Sequence, residues 1–111
     1  MLDLNAMTTN CGGDSALLTE VARAFLEEYP NYITALDQAV SNGSSDEVRF
    51  AAHRLRGSLS IFDAHAALNA AAHLENLGLH QQLTEVPMAL TALKGELSLV
   101  ENEIRALVSE H

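Results

Sequence analysis

The chain reads as an all-α protein: an antiparallel four-helix bundle with an additional N-terminal helix packed against it. Three observations predict this. Apolar residues recur at three- and four-residue spacing along most of the 111 residues, the pattern of amphipathic helices. The segments between them are short and carry helix-capping residues. No stretch alternates apolar and polar residues as a half-buried strand does, and no internal repeat is present. With 48% hydrophobic residues, six Gly and two Pro, the composition suits one helical domain spanning residues 1–111.

Residues 1–13 form a lead-in that ends in the loop Asn10-Cys11-Gly12-Gly13. Asp14 or Ser15 caps a helix over about 15–28, the one expected to pack against the bundle, with Leu18, Val21, Ala22, Phe25 and Tyr29 inward. Pro30 ends it and opens the next helix, 30–42, with Ile33, Leu36 and Val40 inward and Gly43 at the left-handed C-terminal cap. Ser44-Ser45-Asp46-Glu47 has the Ser-x-x-Glu spacing of a capping box before a helix of about 45–62. A fourth helix, 64–77, carries Ala67, Leu68, Ala71, Ala72 and Leu74, and Gly78 is its stop. After a polar loop, Thr84 caps a last helix over 85–109, with Pro87 in its first turn. Leu90, Leu93, Leu97, Val100, Ile104 and Leu107 form its bundle seam. That seam is long enough to be satisfied within one chain, so a monomer is expected.

Chemistry concentrates on the 45–62 helix. Val48, Ala52, Leu55, Leu59 and Phe62 make its apolar stripe, which places His53 on the outer side beside Arg49, Arg56 and Gly57, with Ser60 a turn further on. Net charge is −9, yet three of the six basic residues, Arg49, Arg54 and Arg56, surround this histidine. Arg54 points away from it and is solvated. A local cationic patch on an acidic protein suits an incoming anion, and Arg pairs well with phosphate oxygens. Nearby positive charge also disfavours imidazolium, leaving a nucleophilic neutral ring. Gly57 removes a side chain one turn from His53, room for the surface of a partner. Phe50 and Ile61 flank Gly57 opposite the core stripe; they either dock a partner helix or lie under the 15–28 helix.

Several classes are excluded. The acidic balance argues against nucleic acid. No apolar run is long enough to enter a membrane, and the first ten residues lack the basic start of a signal peptide. Cys11 is alone, as expected of a reduced thiol in the cytoplasm. His65, His73, His80 and His111 lack metal-ligand spacing, and Gly12-Gly13 lacks the Lys-Ser/Thr of a phosphate-binding loop. No metal or nucleotide cofactor is expected, and neither Ser58 nor Ser60 has a catalytic triad around it.

The run Ala52-His53-Arg54-Leu55-Arg56-Gly57-Ser58 resembles the A-H-x-L-K-G-S signature of histidine-containing phosphotransfer (HPt) domains. The resemblance extends from Leu2-Asp3-Leu4 through Gly13-Asp14 and Phe25-Leu26-Glu27-Glu28-Tyr29-Pro30 to His73-Leu74-Glu75, where the family commonly has a Leu-Glu pair. It implies a phosphorelay intermediate. His53 accepts a phosphoryl group, through Nε2, from the aspartyl phosphate of a receiver domain and passes it to another receiver. Arg56 balances charge on the transferring oxygens, and Arg49, Phe50, Gly57, Ser60 and Ile61 dock the partner. Mg²⁺ is expected on the receiver. The partners implied are receiver domains of response regulators or of a hybrid sensor kinase. The location implied is cytoplasmic, either free or as the cytoplasmic end of a membrane-bound hybrid kinase.

Two residues depart from the family pattern: Arg56 stands where Lys is usual, and Asp63 where a helix-closing Gly is usual. Asp63 is read instead as N-cap of the following helix. The rival readings are a non-phosphorylated adaptor or inhibitor that uses the same face, and a chemotaxis-type domain phosphorylated directly by a kinase. An enzyme such as a phosphohistidine phosphatase is disfavoured, because no second acid, base or metal set accompanies His53.

Overall fold

The computed structural model describes residues 3–110; Met1, Leu2 and His111 lie outside it, and with them the first two residues of the expected lead-in. The described residues form five α-helices and no strand: α1 (Leu4–Asn10), α2 (Ser15–Ser41), α3 (Ser45–Leu59), α4 (His65–Leu79) and α5 (Val86–Glu110). Short 3-10 turns at Ser60–Phe62 and Leu83–Glu85 follow α3 and precede α5. Helices α2 to α5 are the antiparallel bundle. The additional N-terminal helix is α1 and not the expected 15–28 helix, which is the first half of α2.

The two largest departures from the expectation lie in α2 and α1. The helices expected at 15–28 and 30–42 are one helix, with Pro30 inside it. A proline in a helix interior removes one backbone hydrogen bond and crowds the preceding turn, at a cost of about 3 kcal/mol. The apolar spacing nevertheless continues in phase across it. Leu18, Ala22 and Phe25 before the proline and Leu36 and Ala39 after it are all buried in one core. Pro30 itself is exposed, so its ring points away from that seam. Continuous burial on both sides outweighs the local break. The 27 residues of α2, at about 1.5 Å each, run the length of the molecule, whose long axis is 41 Å.

The second difference is α1, which lies within the expected lead-in. The Asp3 carboxylate accepts hydrogen bonds from the Asn5 and Ala6 amides, and Met7 and Cys11 are buried. The Asn10 side-chain amide donates to the Ile61 carbonyl at 3.2 Å, which ties α1 to the turn at the end of α3. Seven residues are too few to show a period, and so short a helix is stable only when docked.

The ends of the other helices follow the capping residues. Asp14 accepts from the Leu17 amide and caps α2. Gly43, at φ +60°, closes it in a Schellman motif, with Gly43 N–H to Val40 O and Ser44 N–H to Ala39 O. Ser44 Oγ accepts from the Glu47 amide, one half of the expected capping box. The other half is absent because the Ser44 amide is already used; the Glu47 carboxylate accepts instead from Asn42 Nδ2.

Gly78 is not the stop of α4. The helix continues to Leu79, and Gln81 takes the left-handed position, at φ +57°. Gly78 is instead where α3 and α4 meet most closely: a Cβ there would stand 2.8 Å from the Arg49 nitrogen and 2.9 Å from the Ser45 oxygen. Thr84 lies within the 3-10 turn before α5. The core stripe of α3 and the seam of α5 are buried as expected, with Val48, Ala52, Leu55, Leu59 and Phe62 packed into the same core as Leu93, Leu97 and Ile104.

Candidate functional site

The close approach at Gly78 sets the register of the antiparallel α3–α4 pair. One turn before Gly78, Glu75 lies opposite the middle of α3. Its Oε2 is 2.9 Å from Nδ1 of His53, and its Oε1 is 3.2 Å from Nη1 of Arg56. Glu75 thus bridges two residues one turn apart on α3. The His53 side chain is 61% exposed and that of Glu75 17%, so a nearly buried carboxylate holds an open imidazole.

This contact decides the tautomer. An ionised carboxylate only accepts hydrogen bonds, so the proton between the two groups belongs to Nδ1. In the neutral ring Nε2 then carries the lone pair. No described residue hydrogen-bonds to Nε2.

Glu75 also has a distinctive second oxygen. Oε1 is buried and accepts no hydrogen bond from the protein. Arg56 is near enough to neutralise it, without hydrogen-bond geometry.

The other anticipated residues divide. Gly57 opens to free space: a Cβ there would meet nothing within 4 Å. Phe50 is 62% exposed, with the Arg49 guanidinium over its ring at 5.2 Å. Arg54 is exposed. Ser60 is exposed and donates from Oγ to the Gly57 carbonyl at 2.8 Å. Ile61 is half-buried and packs against the core, so of the two flanking apolar residues Phe50 is open while Ile61 is largely taken up by packing. Ser58 is also structural, its Oγ 2.6 Å from the Tyr32 hydroxyl, joining α3 to α2.

Asp63 is not the N-cap of α4. That position is Ala64, with no side-chain cap, and Asp63 sits at φ 55°, the left-handed region where glycine is favoured. Its carboxylate faces His65, at 2.9 Å from Nε2.

Arg56 is not free to await an anion in this state, because it is paired with Glu75. Glu75 appears in the sequence only as half of the Leu74-Glu75 pair that carries the family resemblance, with no site role assigned to it. It lies 22 residues from His53, and nothing in its spacing within an alanine- and leucine-rich helix ties it to that histidine.

The His53 imidazole lies open on the surface. A groove of about 490 Å³ lined by Asp63, His65, Glu96 and Leu99 lies between the start of α4 and α5, and His53 is not among its lining residues. Among the described residues no group of three or more His, Cys, Asp or Glu is arranged to hold a metal ion, and no helix is long and apolar enough to cross a membrane. An exposed imidazole with a fixed tautomer, outside that groove, is accessible to a group carried on another macromolecule.

A helical bundle that presents one oriented histidine to a partner defines a class of phosphoryl-carrying proteins. The family model for the Hpt domain matches residues 20–107, and the chain belongs to that family. Its role is histidine phosphotransfer within a two-component phosphorelay, where Hpt domains act as carriers and meet receiver domains. The crystal structure of histidine-containing phosphotransfer protein B (HptB) from Pseudomonas aeruginosa PAO1 is similar in fold, with a TM-score of 0.90. The match covers 99% of this chain and 96% of that one at 16% identity. A comparison with curated protein sequences finds no match.

Proposed function

We propose that His53 is the phosphoryl acceptor and that its Nε2 is the attacking atom. The observation that carries this reading is the 2.9 Å contact between Nδ1 and Glu75, which leaves Nε2 with the lone pair on an exposed ring. The Nε2 lone pair attacks the phosphorus of a receiver's aspartyl phosphate. The Nε2–P bond forms, the P–O bond to the aspartate breaks, and the aspartate leaves as carboxylate. The Nδ1 proton stays in the Glu75 hydrogen bond, so the product is a phosphoimidazolium facing a carboxylate, which stabilises it. Discharge is the reverse: a receiver carboxylate attacks phosphorus, the P–N bond breaks, and neutral imidazole returns.

Arg56 supplies positive charge to the transferring oxygens. Arg49, Phe50, Gly57 and Ser60 form the surface on which the receiver rests, with Ile61 at its edge. Mg²⁺ is expected on the receiver and not on this chain, where it would supply charge stabilisation for the transfer. The chain is a carrier without a nucleotide or metal site of its own. It works as a monomer, since the α5 seam is consumed inside the bundle, and in the cytoplasm, where receiver domains are found.

The test is ³¹P NMR of the protein after incubation with a phosphorylated receiver. A single Nε2-phosphohistidine signal, absent from His53→Gln, is expected. A signal from Nδ1-phosphohistidine, or one that persists in His53→Gln, overturns the assignment. Receiver binding with no phosphate uptake supports the adaptor reading instead.

A further inference from the structure

We propose that phosphorylation of His53 moves Arg56 from Glu75 to the phosphoryl group, which makes Glu75 the resting station of a mobile counter-ion. The inference rests on the reading of His53 as acceptor and adds a role for the second oxygen of Glu75.

Arg56 is held weakly where it is. Its Nη1 is 3.2 Å from Oε1 of Glu75 with no hydrogen bond formed, and its side chain is 43% exposed. The attraction is Coulombic, to one carboxylate whose charge is shared with the His53 Nδ1 proton on the other oxygen. A phosphoryl group on Nε2 changes the competition. It brings a charge of about −1.5 to −2 and three acceptor oxygens, and the planar guanidinium binds two such oxygens at once.

Arg56 is also the cation in position to respond. It lies three residues from His53, on the same side of α3. Arg49 is stacked on Phe50, and Arg54 is one residue along the helix from His53 and so turned away from it.

The move has a consequence at the other oxygen. Without Arg56, Oε1 is buried with no neutralising partner. The uncompensated charge of Glu75 then acts on the Nδ1 proton alone and holds the phosphorylated ring as imidazolium. That is the form whose P–N bond breaks to release a neutral imidazole. Glu75 is therefore a positioning residue twice over: it orients His53 before transfer, and by surrendering Arg56 it prepares the phosphohistidine for discharge.

The test follows the Arg56 side-chain ¹⁵Nε–¹Hε resonance in ¹⁵N-labelled protein before and after phosphorylation with phosphoramidate. In that reaction Nε2–P forms, the P–N bond of the reagent breaks, and ammonia leaves. Intact mass establishes the single added phosphate. The expected result is a displaced Arg56 resonance on phosphorylation of the wild type, and a displaced resonance in unphosphorylated Glu75→Gln. In parallel, Arg56→Gln accepts phosphate from a receiver about tenfold more slowly, and Arg56→Lys recovers part of that loss. An unchanged Arg56 resonance in fully phosphorylated wild type overturns the inference and leaves His53 as acceptor. Absence of phosphate on His53 overturns both.

Discussion

Glu75 Oε2 lies 2.9 Å from His53 Nδ1 across the interface of α3 and α4, and the contact leaves the reactive nitrogen as the one facing away from the carboxylate. Removing the charge while keeping an acceptor, as in Glu75→Gln, is expected to lower the rate of phosphoryl acceptance about tenfold, and Glu75→Leu about a hundredfold. Neither change unfolds the protein, since the residue is at the edge of the core. Rapid-quench transfer from a phosphorylated receiver measures the rates, and ¹⁵N shifts of the imidazole report the tautomer. Wild-type transfer by a folded Glu75→Leu protein would remove Glu75 from the mechanism.

The register that makes this contact depends on Gly78. In Gly78→Ala the new Cβ would stand 2.8 Å and 2.9 Å from backbone atoms of Arg49 and Ser45, and backbone cannot rotate aside as a side chain does. Overpacking of this kind costs about 1–3 kcal/mol, more than the roughly 1 kcal/mol gained in helix propensity. Gly95→Ala on α5 is the control. Nothing lies within 4 Å of the added Cβ, so a gain of about 0.5–1 kcal/mol is expected. Urea unfolding of both variants checks the opposite signs, and Gly78→Ala should also transfer phosphate more slowly, because Glu75 shifts with α4.

Asp63 occupies a left-handed backbone position, at φ 55°. Replacing it with glycine relieves a conformational cost of about 1 kcal/mol and gives up the solvent-exposed pair with His65. Asp63→Gly should therefore raise the melting temperature modestly. A lower melting temperature would mean that the His65 pair is worth more than the strain.

Tyr29 supplies a pH dependence. Its hydroxyl is pushed above its ordinary value of 10.0, first by burial and then by the nearby Glu101 carboxylate. The folded protein thus keeps this proton where the unfolded chain has lost it. The contribution is complete below pH 10 and is lost as pH rises through the folded value. Tyr29→Phe should flatten the fall in stability above pH 10, measured as urea midpoints. Parallel curves for the variant and the wild type would contradict this.

What was legible in the sequence was whatever one helix specifies alone. The stripe Val48, Ala52, Leu55, Leu59 and Phe62 leaves His53 outside, and the seam from Leu90 to Leu107 orders α5; both are periodic and both are buried as read. Gly43 and Ser44 mark their caps through short-range backbone chemistry. The misreadings arise where packing overrides local preference. Pro30 is a strong break by itself, yet the apolar spacing continues through it. The short α1 exists because Met7 and Cys11 dock. At the site, His53 and the open space at Gly57 were readable from the helical wheel. Glu75 was not, because its partner is set by the α3–α4 register, and that register depends on Gly78, a residue read only as a stop. Arg56 was read as a cation for phosphate; its pairing with Glu75 follows from the same register.

The central claim is tested most directly by intact-mass analysis of a two-step relay. Wild type and His53→Gln are each incubated with a phosphorylated receiver, separated from it, and offered a second, unphosphorylated receiver. The account predicts one acid-labile phosphate on the wild type alone, which then appears on the second receiver as the carrier returns to its unmodified mass. Phosphate on a folded His53→Gln protein, or none on the wild type from several receivers, would contradict it.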